Sequence, residues 1–444
     1  LSMAEDLQLA PWSGELKTVD LLNEADTSSD ESSSPASSSG ASTQGSIFSW
    51  VGPGLLVCLA DTDAGCLVVA AQSGAKWRYS LLLLQVVLIP ILFLAQELTV
   101  RLGVYARKGQ TACIRDHFGC FWAWFACSLL VVECICAMTS EMSGVVAVAE
   151  LWGVQREYAT FIAACAMGLT VFLFDYRQIE VIGVTLGLFE LTFVFTMVWL
   201  HPDPMELLRG AFTLHRDSDY WKMVSANIGA VIMPWMIYFQ QSAVVARRLT
   251  TRKEFVTERN QTLFGSILTQ LVMIGALVTL ATADRVSKDL ETVRDIVVAL
   301  EPILGKTLAT TLVSLGFMGG SMSAAFVVSL AAAWSICEAM GADEAFSLDQ
   351  GPTKSLQFYV CFLLVVLVGI GVLLSGVSMI SLSICIELLD GLLLPVAVAF
   401  LFLLATGEAL PPEVRVKGMH KAVVAVVFTL CTVLSLSSAI YGLV

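Results

Sequence analysis

The sequence predicts an all-α polytopic membrane protein with about eleven transmembrane helices, of which the first and the sixth are broken. Its 444 residues are 57% hydrophobic and only 14% charged, whereas soluble domains contain about 25% charged residues. Apolar stretches of bilayer length follow one another along the chain. The first and sixth of them carry helix-breaking residues at their centres, which is the pattern expected of an inverted repeat of five helices.

The predicted spans occupy most of the chain after residue 48. They lie near residues 48–74, 79–100, 121–146, 158–175, 179–200, 223–246, 262–283, 307–338, 356–376, 379–405 and 421–443. Dense groups of Lys and Arg follow the second and the sixth spans. The positive-inside rule therefore predicts a cytoplasmic N-terminus and a C-terminus on the outside.

Composition also divides the chain into two predicted domains. Residues 1–47 are acidic and rich in Ser, and they contain too few apolar side chains to offset the entropy of ordering, so we expect a disordered cytoplasmic tail. Residues 48–444 form the predicted transmembrane transporter domain. The net charge of −13 comes partly from the tail and gives no indication of nucleic-acid binding. The spacing of the cysteines fits neither a zinc module nor a disulfide framework.

The first predicted break is acidic. Segment 61–66 reads Asp-Thr-Asp-Ala-Gly-Cys and lies in the middle of a long apolar run. A charge at the centre of a membrane span costs roughly 2.5–3.5 kcal/mol on insertion scales. Two such charges beside a glycine predict a broken helix whose open backbone lines a polar site. The natural occupant of a site with two carboxylates and a thiol is a cation.

The second predicted break lies at the centre of the sixth span. Pro234 has no N–H, so the carbonyl of Ala230, four residues earlier, loses its helical partner. In a membrane, that carbonyl needs a donor, a water molecule or a cation. Met233 adds a thioether next to the proline.

Several residues in three of the spans match the pattern of a known family. They are Gly52, Pro53, Gly54, Asp63, Gly65, Gln72 and Gly74 in the first span, Glu141 and Gly144 in the third, and Gly229, Ala230, Met233, Pro234 and Tyr238 in the sixth. With these residues the chain resembles the NRAMP family of divalent-metal transporters from about residue 50 to its end. The resemblance implies a LeuT-type fold of 5+5 inverted repeats, with metal transport by alternating access.

The chain also departs from that family pattern. Ala64 stands where the family has Pro, Cys66 where it has Asn, and Trp235 where it has His, while Met138 replaces an Asp of the third span. Asp61 is an additional acid. Because the missing Asp and His belong to the family's proposed proton route, the resemblance does not carry proton coupling over to this chain. The chain resembles a divergent branch, and some such branches are associated with magnesium.

Five residues at the two breaks are the predicted metal ligands. Asp63 is the expected primary ligand, and it is also suited to cap the second half of its helix. Asp61 joins it only if the segment is unwound, and is otherwise a vestibule charge paired with a basic residue. Cys66 and Met233 are soft ligands that favour Mn²⁺, Fe²⁺, Zn²⁺ or Cd²⁺, or else they are packing residues. The Ala230 carbonyl completes the set.

A sixth candidate ligand lies in the tenth span. Glu387 falls near a family Gln that approaches the metal in occluded states, and Asp390 shares its helix face. A carboxylate there would add a hard oxygen ligand to the site and raise its negative charge. The alternative is that Glu387 pairs with a neighbouring side chain.

Five further residues are expected around the site or along the ion path. Gln72 and Asn227 lie close enough to the breaks to support the ligands. Glu133 and Glu141 in the third span are buried acids suited to a proton relay or a water-filled path. Trp235 either narrows the inner path or fills volume.

The sequence therefore predicts a divalent metal ion transporter for Mn²⁺ and Fe²⁺, embedded in the lipid bilayer. We expect neither an enzyme nor a resident cofactor. No Walker-type phosphate-binding motif is present, so we expect gradients to supply the energy for transport. One alternative is an NRAMP-related transporter of Mg²⁺ and Mn²⁺ without proton coupling. A second is a membrane metal sensor that does not transport. A third, Na⁺-coupled uptake of organic substrates, is disfavoured because Asp61 and Asp63 would repel a substrate carboxylate. The oligomeric state is not predicted.

Overall fold

The computed structural model describes residues 51–283, 290, 292–341, 351–375 and 379–443, with side chains in the last range described at 386, 389 and 393–437. The predicted tail at 1–47 lies outside the described residues. Within these ranges all regular structure is helical.

The described residues form seventeen α-helices in chain order. They are α1 (Pro53–Ala60), α2 (Ala64–Trp77), α3 (Leu82–Ala106), α4 (Gln110–Phe118), α5 (Cys120–Leu151), α6 (Arg156–Leu173), α7 (Tyr176–Gly187), α8 (Leu191–Trp199), α9 (Pro204–Ala211), α10 (Ser218–Gly229), α11 (Pro234–Ala246), α12 (Arg252–Thr282), α13 (Val293–Leu304), α14 (Lys306–Ala339), α15 (Leu356–Leu374), α16 (Met379–Thr406) and α17 (Gly418–Leu443). A 3₁₀ turn, Leu188–Glu190, joins α7 to α8.

The predicted spans coincide with these helices. Among the described residues, nine helices or helix pairs are long and apolar enough to cross a bilayer, and the pair α1–α2, bent by 53°, makes a tenth. The predicted span at 379–405 coincides with α16. Helices α4, α9 and α13 are shorter and lie in connections that the hydropathy pattern did not predict as helical. The protein is therefore a multi-pass membrane protein.

The breaks lie where the sequence predicts them. Helix α1 ends at Ala60 and α2 begins at Ala64, while α10 ends at Gly229 and α11 begins at Pro234. Proline is well suited to this last position, because the first residue of a helix has no intrahelical partner for its N–H.

Two long helices pack against the broken spans. Helix α14 packs along α5 and also contacts α1 and α11, and α12 packs along both α1 and α2. Close approach depends on small residues, as in other membrane helix packing. Gly74 of α2, for example, lies against the Leu277 carbonyl of α12, where a Cβ atom would overlap the oxygen. This packing holds the first break in the interior of the bundle.

Candidate metal site

The first break is a short turn that ends in a helix cap. Asp61 keeps helical dihedral angles (φ −68°, ψ −30°), whereas Asp63 is extended (φ −66°, ψ 177°). The Asp63 Oδ1 accepts a hydrogen bond from the Cys66 backbone N–H at 2.8 Å. Asp63 therefore caps α2, which is one of the two roles that the sequence predicted for it.

The second break combines a carbonyl with a thioether. The backbone of Met233 is extended (φ −89°, ψ 139°) and precedes Pro234, so α10 cannot continue into α11. Ala230 is partly buried, and Met233 is buried with 5% of its surface exposed. Neither residue is charged, which makes this break the less polar of the two.

One side-chain contact joins the two breaks. The Cys66 thiol of α2 donates a hydrogen bond to the Ala230 carbonyl at 3.3 Å. This is the carbonyl that Pro234 deprives of its helical donor. Two of the predicted ligands, one from each repeat, therefore face each other across the interior of the bundle.

Asp61 lies beside this contact as a buried acid. Only 2% of its surface is exposed, and its Oδ1 has no hydrogen-bond partner among the described residues. Both carboxylates could bind one ion only if the whole segment were unwound. Asp63 is extended but Asp61 keeps a helical backbone, so the segment is only partly unwound.

Helix α5 contacts the start of the second half of each broken span. The Glu141 Oε2 lies 3.4 Å from the Ala64 N–H, and the Glu133 Oε1 lies 3.4 Å from the Trp235 N–H. Both amides belong to the first turn of a helix, where N–H groups lack intrahelical partners and attract negative charge. These two acids, predicted as members of an ion path, are thus placed at the two breaks.

A further acid at the first break comes from the fifth span. The 3₁₀ turn places Glu190 in the interior, with none of its surface exposed. Its carboxyl group is hydrogen-bonded to the Thr62 hydroxyl, which also lies 3.0 Å from the Leu59 carbonyl. Nothing in the sequence indicated that Glu190 meets Thr62.

Charge at the first break is therefore unbalanced in the described part of the chain. Four buried carboxyl groups surround it, on Asp61, Asp63, Glu141 and Glu190. None of them takes part in an ion pair between described residues. Buried acids without basic partners are stabilised by a bound cation or by protonation.

The polar residues predicted to support the site form bridges between helices. The Asn227 side-chain amide donates to the Ser73 hydroxyl at 2.9 Å and accepts from the Gln85 amide at 2.6 Å, so it links three spans near the second break. The Gln72 amide instead donates to the carbonyl of Leu290. Gln72 lies about 13 Å along the helix from Asp63, given a rise of about 1.5 Å per residue, so its amide is engaged away from the ligands.

Two other predicted residues are Trp235 and Glu387. Trp235 is fully buried at the start of α11, with 1% of its surface exposed. Glu387 belongs to α16, but its side chain lies outside the described residues. Among the described residues, no three His, Cys, Asp or Glu side chains converge as a metal cage. A metal bound between the breaks would therefore depend on the Ala230 carbonyl and the Met233 thioether as well as on carboxylate.

Known proteins resemble the chain in both sequence and fold. Similar relatives include the divalent metal cation transporter MntH of Listeria welshimeri serovar 6b, 24% identical over 299 residues (64% of this chain, 67% of the relative). MntH of Brucella suis biovar 1 is 26% identical over 303 residues (64% and 65%).

Among solved structures, the Eremococcus coleocola manganese transporter superposes with a TM-score of 0.71 at 17% identity, covering 93% of this chain and 90% of that one. MhsT in complex with L-phenylalanine superposes with a TM-score of 0.57 at 13% identity, covering 87% and 98%. At these identities the superpositions concern the fold alone, and they confirm the predicted LeuT-type architecture. The family model described as natural resistance-associated macrophage protein-like matches residues 54–440, and the chain therefore belongs to the Nramp family.

Proposed function

We propose that this chain is a divalent metal ion transporter that carries Mn²⁺ and Fe²⁺ by alternating access. Family membership supports the substrate class, since relatives across the family model carry the name divalent metal cation transporter. The similar Eremococcus coleocola structure is that of a manganese transporter. The ion would lie between the two breaks, while the two repeats rock around it.

The observation that carries this proposal is the contact between the two breaks. The Cys66 thiol lies 3.3 Å from the Ala230 carbonyl, and Asp63 caps the helix that carries Cys66. The ligands that we propose are thus Asp63, Cys66, the Ala230 carbonyl and Met233. An arriving metal would replace the thiol proton as the partner of that carbonyl.

Donor chemistry supports a transition metal. Asp63 supplies negative charge and the Ala230 carbonyl supplies a neutral oxygen. The sulfur atoms of Cys66 and Met233 are soft ligands. They bind Cd²⁺ best, Mn²⁺ and Fe²⁺ less well, and Mg²⁺ or Ca²⁺ least well. Selectivity against the abundant hard cations would then depend on sulfur.

A magnesium transporter is the second candidate, and one observation favours it. The first break is surrounded by four buried carboxyl groups, on Asp61, Asp63, Glu141 and Glu190. An acid-rich site suits Mg²⁺, which binds through one or two carboxylates and keeps several of its water molecules. In that arrangement, sulfur would contribute little to binding.

We do not include the family's proton route in the proposal. Met138 replaces its Asp, and the Met138 sulfur lies 3.6 Å from the Ser329 hydroxyl in the buried interior. Trp235 replaces its His, and its indole cannot carry a proton between partners as an imidazole does. We further propose the N-in, C-out orientation, which places α11 in the cytoplasmic half of the sixth span.

Uptake by purified full-length protein in liposomes tests the proposal. Mn²⁺, Fe²⁺, Cd²⁺ and Mg²⁺ are supplied in turn, with a pH-sensitive dye in the lumen. We expect saturable Mn²⁺ uptake, weak competition by Mg²⁺ and no acidification of the lumen. Mg²⁺ uptake at a rate equal to that of Mn²⁺ would favour the second candidate, and metal binding without flux would indicate a sensor. Acidification that follows Mn²⁺ uptake would contradict transport without protons.

A further inference from the structure

Helix α9 lies in the connection between the fifth and sixth spans, and each end of that connection carries an exposed tryptophan. The fifth span ends at Trp199 and the sixth begins at Ser218. More than half of the surface of Trp199 and of Trp221 is exposed. Because tryptophan is enriched where the hydrocarbon of a bilayer meets the headgroups, these two side chains mark the level of the membrane surface. The connection between them, residues 200–217, therefore starts and ends at that level.

One side of α9 packs against the protein. A Cβ atom on Gly210 would lie 2.6 Å from the Tyr79 Cβ, so the backbone of α9 closely approaches the turn between α2 and α3. Leu207 packs against the apolar cluster that contains Tyr79 and Tyr220. Residues three apart, such as Leu207 and Gly210, lie on one face of a helix. These two contacts therefore fix which side of α9 faces the protein.

The side of α9 away from the protein is apolar and exposed. Met205 and Leu208 belong to this side, and Phe212 immediately follows the end of the helix. At 3.6 residues per turn, these three residues fall within a sector of about 60°. Their exposed fractions are 53%, 58% and 68%. Single exposed apolar side chains are common, but a group of large ones on a single face marks an interaction surface.

Helix α9 is too short to cross a membrane. Its eight residues span about 12 Å, whereas the hydrocarbon core of a bilayer is about 30 Å thick. A helix of this length is marginal in water, even though the Asp203 Oδ1 caps it by accepting from the Met205 N–H at 2.9 Å. Phe195 and Val198, near the end of the fifth span, are also exposed, so a segment that contacts lipid immediately precedes α9 in the chain.

We propose that α9 lies along the membrane surface, with Met205, Leu208 and Phe212 inserted between the lipids just below the headgroups. The partner of this face is the bilayer itself. Helices that depend on anionic lipid carry an excess of Lys and Arg on their polar face. Residues 200–217 contain three acids and only two arginines, so insertion depends on apolar contact and proceeds equally well in zwitterionic lipid.

Quenching by brominated lipids tests the proposal. The full-length protein, with a genetically encoded fluorescent amino acid in place of Leu208, is reconstituted in phosphatidylcholine liposomes. Lipids brominated near the headgroup end of the acyl chain should lower its fluorescence several-fold, and lipids brominated at the far end should lower it less. Adding anionic lipid should change neither result. The matched control carries the same amino acid in place of Glu206, which is exposed on a different side of α9, and it should be quenched only weakly.

A measurement without a label uses hydrogen exchange in the same liposomes. The double variant Leu208→Ser, Phe212→Ser should lose the lipid contact, so the amides of α9 should exchange several-fold faster. Leu169→Ser is the control, because Leu169 of α6 is exposed to the same extent, 58%, at a site far from α9 in the chain. That variant should leave the exchange of α9 unchanged.

Three results would overturn the proposal. Equal quenching of the reporters at positions 208 and 206 would mean that the apolar face does not enter the bilayer. Quenching that requires anionic lipid would assign the contact to charge. An unquenched reporter at position 208, together with crosslinks between two copies of the chain at that position, would assign the face to a second copy.

Discussion

The two breaks differ in what they supply to a bound ion. The first is bent by 53° and surrounded by carboxyl groups, and Asp63 caps its own helix. The second ends at a proline and presents an uncharged carbonyl and a thioether, and Glu133, whose Oε1 lies 3.4 Å from the Trp235 N–H, comes from a different helix. The first break therefore supplies the charge together with one soft ligand, Cys66, whereas the second supplies only uncharged ligands, among them the Met233 thioether.

This asymmetry assigns different consequences to substitutions on the two sides. Changes to the acids of the first break should abolish binding, and changes to the residues packed against them should destabilise the protein. Changes at the second break should preserve binding and alter the choice of metal. Helix α5 contacts both breaks through Glu133 and Glu141, so it connects the two effects.

The largest expected effect is at Asp63. Asp63→Asn keeps the side-chain oxygen that caps α2, since Asn and Asp are comparable N-caps, but removes the charge that binds the metal. We expect the rate of Mn²⁺ uptake in liposomes to fall by about a hundredfold or more, since even residues that merely support metal ligands are worth about 10–100-fold. The melting temperature in detergent should change little. Uptake within a few-fold of the unsubstituted rate would show that Asp63 is only a cap.

The next largest effect, on stability, is expected in helix α14, which packs against the first break. A Cβ atom on Gly320 of α14 would lie 2.7 Å from the Thr62 carbonyl oxygen and 2.8 Å from the Glu190 Oε1. Gly320→Ala should therefore destabilise the protein by about 1–3 kcal/mol, measured as a lower melting temperature in detergent.

A matched glycine distinguishes this clash from the general effect of adding a methyl group. Gly371 of α15 has no atom of another described segment within 4 Å of the equivalent position, so Gly371→Ala should be neutral or stabilising by up to about 1 kcal/mol. Equal melting temperatures for the two variants would mean that the first break is loosely held.

A smaller effect, on selectivity, is expected at the second break. Met233→Ala removes the thioether, so Mg²⁺ and Ca²⁺ should inhibit Mn²⁺ uptake about tenfold more effectively, which corresponds to about 1.4 kcal/mol. Met236→Ala is the control, because Met236 is also buried on α11 and leaves a similar cavity. Selectivity that shifts equally in both variants would assign the effect to packing.

The sequence was sufficient to predict the spans and both breaks. Hydropathy marks the spans, and a proline or a pair of acids within an apolar run leaves few structures other than a broken helix. It also placed Cys66 and the Ala230 carbonyl in one predicted set of ligands, because the missing N–H of Pro234 leaves that particular carbonyl free.

The remaining contacts depend on how the helices pack and could not be predicted. Glu133 and Glu141 are eight residues apart on one helix, and from this spacing one can predict only that they lie on roughly the same face. It does not predict that Glu141 lies at the start of α2 and Glu133 at the start of α11. Glu190 reaches Thr62 because a 3₁₀ turn changes its direction. Gln72 belongs to the helix that begins at the first break, yet its amide donates to the carbonyl of Leu290.

The smallest expected effect is at Cys66, where the two breaks meet. Cys66→Ser keeps a hydroxyl donor for the Ala230 carbonyl but exchanges a soft ligand for a hard one. Mn²⁺ uptake should change by no more than about threefold, and the preference for Cd²⁺ over Mn²⁺ should fall by a comparable factor, or about 0.7 kcal/mol. Cys66→Ala, which removes both donor and ligand, should reduce uptake of both metals. If Cys66→Ser preserves the Cd²⁺ preference while Met233→Ala lowers it, the selective sulfur belongs to the second break alone, and the division between a charged break and a selective break becomes complete.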